Sequence, residues 1–287
     1  MKKLLIVDGK TLSYKAFSSS KNVKIMTSTG HNVPMLNNFM SYILELMGKY
    51  EPSGLAVAFG CAEYPNADIE ADPSYRLQFA LLQVLMEELE LECLFSGAYS
   101  ADMIKTLVEA AEASDFKTYV ATAEERPLQL LTKKTHILIL GKQKDVHYNP
   151  NKFYLEYGIE AGYYPDMYAL MGKGNDDVPG VPGIGEKTAI KIIHEYGSVD
   201  SILRDMKSVS DFKLRELFDL YHEELQQGIE QVKLKKVDDM DVDFEKMRFS
   251  GFGLSSQMVL KHFGLDGLLE QQGEGQKPDL PLFEFME

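Results

Sequence analysis

Three observations predict an α/β fold with a largely parallel sheet, followed by a helical lobe. Short apolar runs rich in Val, Ile, Leu and Ala alternate with longer stretches that carry apolar residues at helical spacing, the order in which βαβ units are built. Past residue 178 the strand-like runs stop and helical patterns alone continue. At that junction a glycine hairpin, Gly180-Val181-Pro182-Gly183-Ile184-Gly185, opens directly into the helix-forming run Glu186-Lys187-Thr188-Ala189.

The strand candidates are residues 4–7, 55–59, 93–95, 118–121 and 136–140, each a compact apolar run. Between them, residues 35–49, 79–89, 101–113 and 128–131 show helical patterning. Open α/β sheets place their sites beyond the carboxyl ends of the strands. Asp8, Gly60 and Glu124 each fall at such an end, and Asp102 opens a helix just after one, so these positions are expected to converge. In the second lobe, helices are expected at about 187–196, 199–206, 212–231 and 255–269, with a charged connector at 235–243. Residues 271–278 are rich in Gln and Gly, a composition that favours disorder.

The chain of 287 residues has room for a large core, and its 45% hydrophobic and 26% charged content is that of a soluble globular protein. No apolar run approaches the length of a membrane span, and Met1-Lys2-Lys3 leads straight into a strand with no signal-peptide pattern. Cys61 and Cys93 lack metal-ligand spacing and point to a reducing, cytoplasmic setting. The net charge of −14 restricts nucleic-acid binding, because non-specific affinity comes from Lys and Arg releasing counterions from phosphates. Between Glu51 and Glu112 only Arg76 and Lys105 face twelve carboxylates. Any DNA footprint is therefore small and local.

The hairpin is where such a footprint is expected. Gly183 and Gly185 permit positive φ, so successive N–H groups can point outward at a helix N-terminus, where the dipole favours an anion such as phosphate. Lys187 and, one turn on, Lys191 add positive charge. With Ala169-Leu170-Met171-Gly172 and Asp176-Asp177-Val178-Pro179 before it, the segment closely resembles the helix–three-turn–helix element of the 5′ nuclease family. That family comprises the flap endonucleases and 5′→3′ exonucleases, including the N-terminal domain of bacterial DNA polymerase I. Further segments resemble it in order: Leu4-Leu5-Ile6-Val7-Asp8-Gly9 as the first strand with its following loop, Ala56-Val57-Ala58-Phe59 as the second strand. Tyr99-Ser100-Ala101-Asp102 stands where the family has Tyr-Glu-Ala-Asp-Asp, and Tyr119-Val120-Ala121-Thr122-Ala123-Glu124 where it has a strand ending in Thr-Gly-Asp-Lys-Asp.

The resemblance implies a parallel-sheet, PIN-like 5′-nuclease domain over residues 1–178, a helix–three-turn–helix DNA-binding lobe over 179–270 and a flexible tail over 271–287. It also implies phosphodiester hydrolysis by two divalent ions held in a carboxylate cluster. Asp8, Asp102, Glu124 and Asp176 match or stand in for members of that cluster. Five other positions depart from it: Gly60, Ser100 and Met103 are neutral, and Arg126 and Lys173 are cationic where the family has aspartates. At ~5 Å and an effective dielectric of ~20, each unit-charge interaction is worth roughly 3 kcal/mol, so a cation among the ligands opposes a metal directly. Arg126 and Lys173 could instead pair with Glu124, Asp176 or Asp102. At most one weakly held Mg²⁺ or Mn²⁺, on Asp8, Asp102 and Asp176, is expected, with a metal-free site favoured.

Two further regions bear on function. Where active relatives carry a long basic arch, residues 61–78 are short, and 61–72 hold no Lys or Arg but Glu63, Asp68, Glu70 and Asp72. Threading of a 5′ flap is therefore expected to be lost. The hairpin residues Gly180, Val181, Gly183, Ile184 and Gly185, with Lys187 and Lys191, keep one backbone contact to duplex or branched DNA, helped by K⁺ on the Gly183–Gly185 carbonyls. The tail Asp279-Leu280-Pro281-Leu282-Phe283 resembles sliding-clamp-binding peptides, with Leu280, Leu282 and Phe283 as anchors. The favoured expectation is a catalytically dead or strongly impaired 5′-nuclease homologue that binds duplex DNA. The alternatives are an active divalent-metal 5′→3′ exonuclease with fewer ligands and a clamp- or polymerase-binding module.

Overall fold

A computed structural model describes residues 1–20, 23–62, 65–141, 144–173, 178–249 and 251–268. Asp176, the tail 271–287 and its anchors Leu280, Leu282 and Phe283 lie outside the described residues.

The elements in chain order are β1 (Lys3–Asp8), α1 (Gly9–Ser19), α2 (Pro34–Tyr50), β2 (Gly54–Cys61), α3 (Ala67–Ala71), α4 (Pro73–Glu88), β3 (Cys93–Tyr99), α5 (Ser100–Ala113) and β4 (Lys117–Thr122). There follow β5 (Thr135–Ile139), β6 (Val146–Tyr148), α6 (Pro150–Tyr157), α7 (Tyr164–Met171), α8 (Glu186–Tyr196), α9 (Val199–Arg204), α10 (Phe212–Leu220), α11 (His222–Val232) and α12 (Leu254–His262). The sheet order is β3-β2-β1-β4-β5-β6. β1 pairs in parallel with both β2 and β4, and β2 with β3, as the apolar strand patterns predict. The order reverses at β1, which puts the carboxyl ends of β1 and β4 side by side, where open α/β sheets place their ligands.

Two compact units form. One comprises Met1–Glu124, Leu138–His147 and Val237 onward; the other comprises Glu125–Ile137 and Tyr148–Lys236. This division differs from the expected boundary after residue 178: helices α6 and α7 belong with the hairpin lobe, and α12 with the sheet. In the first unit Leu4, Leu5, Ile6 and Val7 of β1 are fully buried, and Leu5 and Val7 share one core with Leu12, Phe39, Met40 and Ile43. Each buried side chain of this size stabilises the fold by about 1.5–3 kcal/mol. In the second unit Gly228 of α11 lies against α7, where a Cβ would come 3.2 Å from Ala169 Cα. The Asp166 carboxylate on α7 accepts the Val199 N–H at 2.7 Å. Among the described residues no helix is long and apolar enough to cross a membrane.

Several elements differ from expectation. The segment after β1 is a helix, because Asp8 is its N-cap and its carboxylate accepts from the Thr11 N–H. The stretch expected as one helix over 212–231 breaks at Tyr221 into α10 and α11. Residues 128–131 fall in a 3₁₀ turn, Arg126–Leu130, started by Pro127, while β6 and α6 were not foreseen.

Candidate active site and glycine hairpin

Asp8 ends β1 at the sheet's reversal point and is fully buried. Both its oxygens have protein donors: Oδ1 accepts from Thr11 N at 3.2 Å, and Oδ2 from the Thr122 hydroxyl at 2.8 Å. Burial raises its pKa, a shift the Thr11, Thr122 and Ser100 hydrogen bonds partly offset. Thr122 also takes the Glu124 N–H at 3.1 Å, and the Thr11 hydroxyl takes the Ala123 N–H at 3.1 Å. The sequence reading missed Thr11 and Thr122 as site residues. A hydroxyl beside each expected carboxylate was the available signal.

The three neutral departures pack together. Gly60 N donates to the Ser100 hydroxyl at 3.2 Å, and this hydroxyl also bonds Asp8. A Cβ at position 60 would lie 2.6 Å from the Ala98 carbonyl oxygen, 2.6 Å from Ser100 N and 2.9 Å from Met103 Sδ. The β2–β3 register shifts at this point, between Phe59 and Cys61, which brings the Ala98–Ser100 backbone against Gly60. The space for a side chain at 60 is thus filled by backbone and sulfur. Asp102 opens α5 and is nearly buried, and its carbonyl accepts from the Thr106 hydroxyl at 3.1 Å. Among the described residues no group of three or more His, Cys, Asp or Glu side chains forms a metal site. Asp8, already bonded on both oxygens, and the buried carboxylates of Asp102 and Glu124 do not gather into a group of three, which falls short of a two-ion cluster among the described residues.

Helix α3, in the segment expected to be a shortened arch, is tied to α1. Glu70 on α3 pairs with Lys10 at 2.7 Å and accepts a hydrogen bond from the Tyr14 hydroxyl. Lys10 in turn sits 5.1–5.8 Å from the ring centroids of Tyr14, Tyr75 and Phe79. These contacts hold Glu70 below the usual carboxylate range, chiefly through Lys10. Lys10 therefore already has a carboxylate partner.

Arg126 and Lys173, both in the second unit, have identifiable structural partners. Arg126 is buried and donates to the Gln231 carbonyl at 3.1 Å, in the last turn of α11, where a cation also suits the helix dipole. Gln129 joins the same end, donating to the Val232 carbonyl at 3.1 Å and accepting from Leu234 N. Lys173 pairs with Glu125 at 3.3 Å and lies 5.0 Å from the Tyr168 ring centroid. Glu125, the neighbour of the expected Glu124, is a partner the sequence reading passed over.

The hairpin precedes α8, but its geometry differs in detail. Gly180 and Gly183 have φ of 64° and 84°, whereas Gly185 is extended at −98° and serves as the N-cap of α8. A Cβ on Gly180 would fall 2.3 Å from Gly172 N, so this glycine is fixed by chain crossing as well as by φ. Val181 and Ile184 are buried anchors; their part in any contact is through main chain only. Gly183, Gly185, Glu186, Lys187 and Lys191 are exposed, and α8 has no side-chain cap, so its first amides face solvent. The Gly185 carbonyl accepts from both Thr188 N and Ala189 N at 2.9 Å, which leaves it little capacity for the expected K⁺.

Two family models together match residues 3–253 of the chain. One, "5′-3′ exonuclease, N-terminal resolvase-like domain", covers residues 3–158; the other, "5′-3′ exonuclease, C-terminal SAM fold", covers 159–253. DNA polymerase I of Bacillus subtilis is 28% identical over 95% of this chain and 32% of its own length. The thermostable DNA polymerase I of Thermus filiformis is 29% identical over 96% of this chain and 34% of its own. The chain thus spans about a third of the length of these curated relatives. Among solved structures, a zinc-bound bacteriophage T5 5′-exonuclease superimposes with a TM-score of 0.63 at 18% identity, covering 94% of this chain and 98% of its own. A T5 flap endonuclease, solved as an aspartate-to-lysine pseudo-enzyme with product DNA and metal ions, gives 0.64 at 18% identity over 80% and 89%. Human GEN1 bound to Holliday-junction DNA gives 0.57 at 14% identity over 93% and 68%.

Proposed function

The chain belongs to the 5′-3′ exonuclease family, and from that premise we propose that it is a non-hydrolysing member that holds duplex DNA weakly through the Gly183–Lys191 hairpin and helix. The observation that carries this reading is the filled space at Gly60, where a lost ligand position has been closed by Ala98, Ser100 and Met103. A merely vacated ligand position would leave a cavity or solvent; here backbone and sulfur occupy the space. The T5 neighbour supports the reading by analogy: with one aspartate changed to lysine it is described as a pseudo-enzyme, yet it is seen with DNA. By the family resemblance, Arg126 and Lys173 stand where aspartates are expected.

Duplex binding rests on backbone amides at the start of α8 and on two exposed lysines, a contact that reads phosphate and not sequence. The acidic α3 and the Lys10–Glu70 pair favour duplex over a threaded single strand. A labelled 5′-flap duplex tests both halves. With millimolar Mg²⁺ or Mn²⁺ no cleavage is expected, while anisotropy reports binding that weakens with salt. Replacing Lys187 and Lys191 with Gln is expected to weaken binding about tenfold and to reduce the salt slope by about two. Cleavage that Asp8→Ala abolishes would overturn the non-hydrolysing half. Binding unaffected by the Lys187/Lys191 change would overturn the hairpin as the contact.

A further inference from the structure

The other end of the sheet from β6 is the edge strand β3, and its sequence Cys93-Leu94-Phe95-Ser96-Gly97-Ala98-Tyr99 contains no charge and no proline. Edge strands of monomeric proteins normally carry such guards, because an unpaired row of N–H and C=O groups recruits another strand. The Val57 N–H of β2 donates to the Glu92 carbonyl just before β3, and Val57 lies opposite Cys93. By the alternation of a parallel ladder, the main-chain groups of Cys93 and Phe95 then point away from β2. Among the described residues no strand pairs with that outer side. Phe95 is 57% exposed although it stacks on Phe59 at 5.2 Å, so a large aromatic stands at the rim of an open ladder.

Beside this edge runs a groove of about 470 Å³, floored by Leu91, Cys93 and Phe95 and rimmed by Gln83, Glu87 and Glu92. The rim has one sign of charge. From Leu77 to Ile104 the chain has no Lys, Arg or His, and Glu87, Glu88, Glu90 and Glu92 crowd the turn that leads into β3. A second copy of this chain would bring the same carboxylates against themselves and is disfavoured by that repulsion.

We propose that β3 and its groove dock an extended, basic segment of a partner protein, which adds a strand along Cys93–Phe95, sets an aliphatic or aromatic side chain beside Phe95 and pairs flanking Lys or Arg with Glu87 and Glu92. Main-chain pairing supplies affinity in this mode and the alternate side chains supply selectivity. The surface is separate from the duplex-binding hairpin, and the proposal stands whether or not that reading holds.

The probe is a fluorescent octapeptide of alternating Lys and Val, with Lys-Gly and Glu-Val octapeptides as controls for charge alone and for strand propensity alone. Saturable binding of the Lys-Val peptide alone is expected, with hydrogen exchange slowed at the Cys93 and Phe95 amides. Phe95→Lys is expected to weaken binding by about tenfold or more, by removing the apolar contact and adding a like charge. Glu87→Lys, at an exposed position that leaves the Phe59–Phe95 stack intact, is expected to weaken it severalfold. The proposal is overturned if Lys-Gly binds as well as Lys-Val, if protection appears elsewhere, or if both variants bind unchanged. Sedimentation that shows a Phe95-dependent dimer with β3 already protected would assign the edge to a second copy and also overturn it.

Discussion

The carboxyl end of the sheet and the hairpin of the helical unit have fared differently. At the sheet, Met103 and the Ala98–Ser100 backbone fill the side-chain space at Gly60, and Thr122 and Ser100 bond Asp8. At the hairpin, Gly180, Gly183, the uncapped start of α8 and both lysines remain. The difference lies in what carries each function. A metal cluster is made of side chains, so single substitutions remove its ligands while the sheet stands. An anion-binding helix start is made of main chain, and its geometry is tied to the fold by Gly180 lying against Gly172. It can be lost only at a cost in stability.

That contrast can be broken most directly at Gly180. Gly180→Ala puts a Cβ 2.3 Å from Gly172 N in a left-handed conformation, and is expected to destabilise the helical unit by about 3–5 kcal/mol. Urea denaturation followed by circular dichroism should show it; a loss below about 1 kcal/mol would mean that the hairpin is far more pliable than its contacts imply.

A smaller loss is expected from putting a ligand back. Gly60→Asp should cost about 2–3 kcal/mol, since its Cβ meets main-chain atoms that cannot rotate away, and should not produce flap cleavage. Adding Met103→Ala removes the sulfur contact but leaves Ala98 and Ser100 in place, so only part of the stability should return. Recovery of Mn²⁺-dependent cleavage in either variant would show that the site is vacated rather than rebuilt.

The smallest effect is a pH dependence confined to the helical unit. Burial pushes the Asp166 carboxyl up to about 6, against the opposing Val199 hydrogen bond and with help from Asp200. A carboxyl whose pKa is higher folded than unfolded binds its proton more tightly in the native state. Its stabilising contribution is full below about 3.9 and is lost as pH rises through about 6. Asp166→Asn keeps an acceptor for Val199 N–H and removes the titration. Between pH 4 and pH 7 the variant is expected to lose on the order of 2 kcal/mol less than the parent. Parallel curves for the two proteins would rule out Asp166 as the source.

Much of this was legible before any coordinates. The Val-, Ile- and Leu-rich runs around Ile6, Val57 and Val120 had to be buried parallel strands, and Gly-x-Gly before a helix had to be a turn into an exposed helix start. The helix α1 was not legible, because Gly9, Thr11, Ser13 and the Ser18–Ser19 pair are weak helix formers, and its cap is the residue read as a metal ligand. The break at Tyr221 escaped because a helical apolar period continues across it, and the unit boundary escaped because the Arg126 turn joins the hairpin lobe across the intervening Leu138–His147, which belongs with the sheet.

Taken alone, the sequence determined which carboxylates of the ligand set implied by the family resemblance are absent, since residue type is local information. Whether their absence leaves an empty pocket or a closed one depended on the β2–β3 register shift and on the direction of the Met103 side chain, which are set by packing between segments forty residues apart. Close-packed interiors admit few voids, so the neighbours of a deleted side chain either relax into its space or leave a cavity, and only the three-dimensional surroundings decide which.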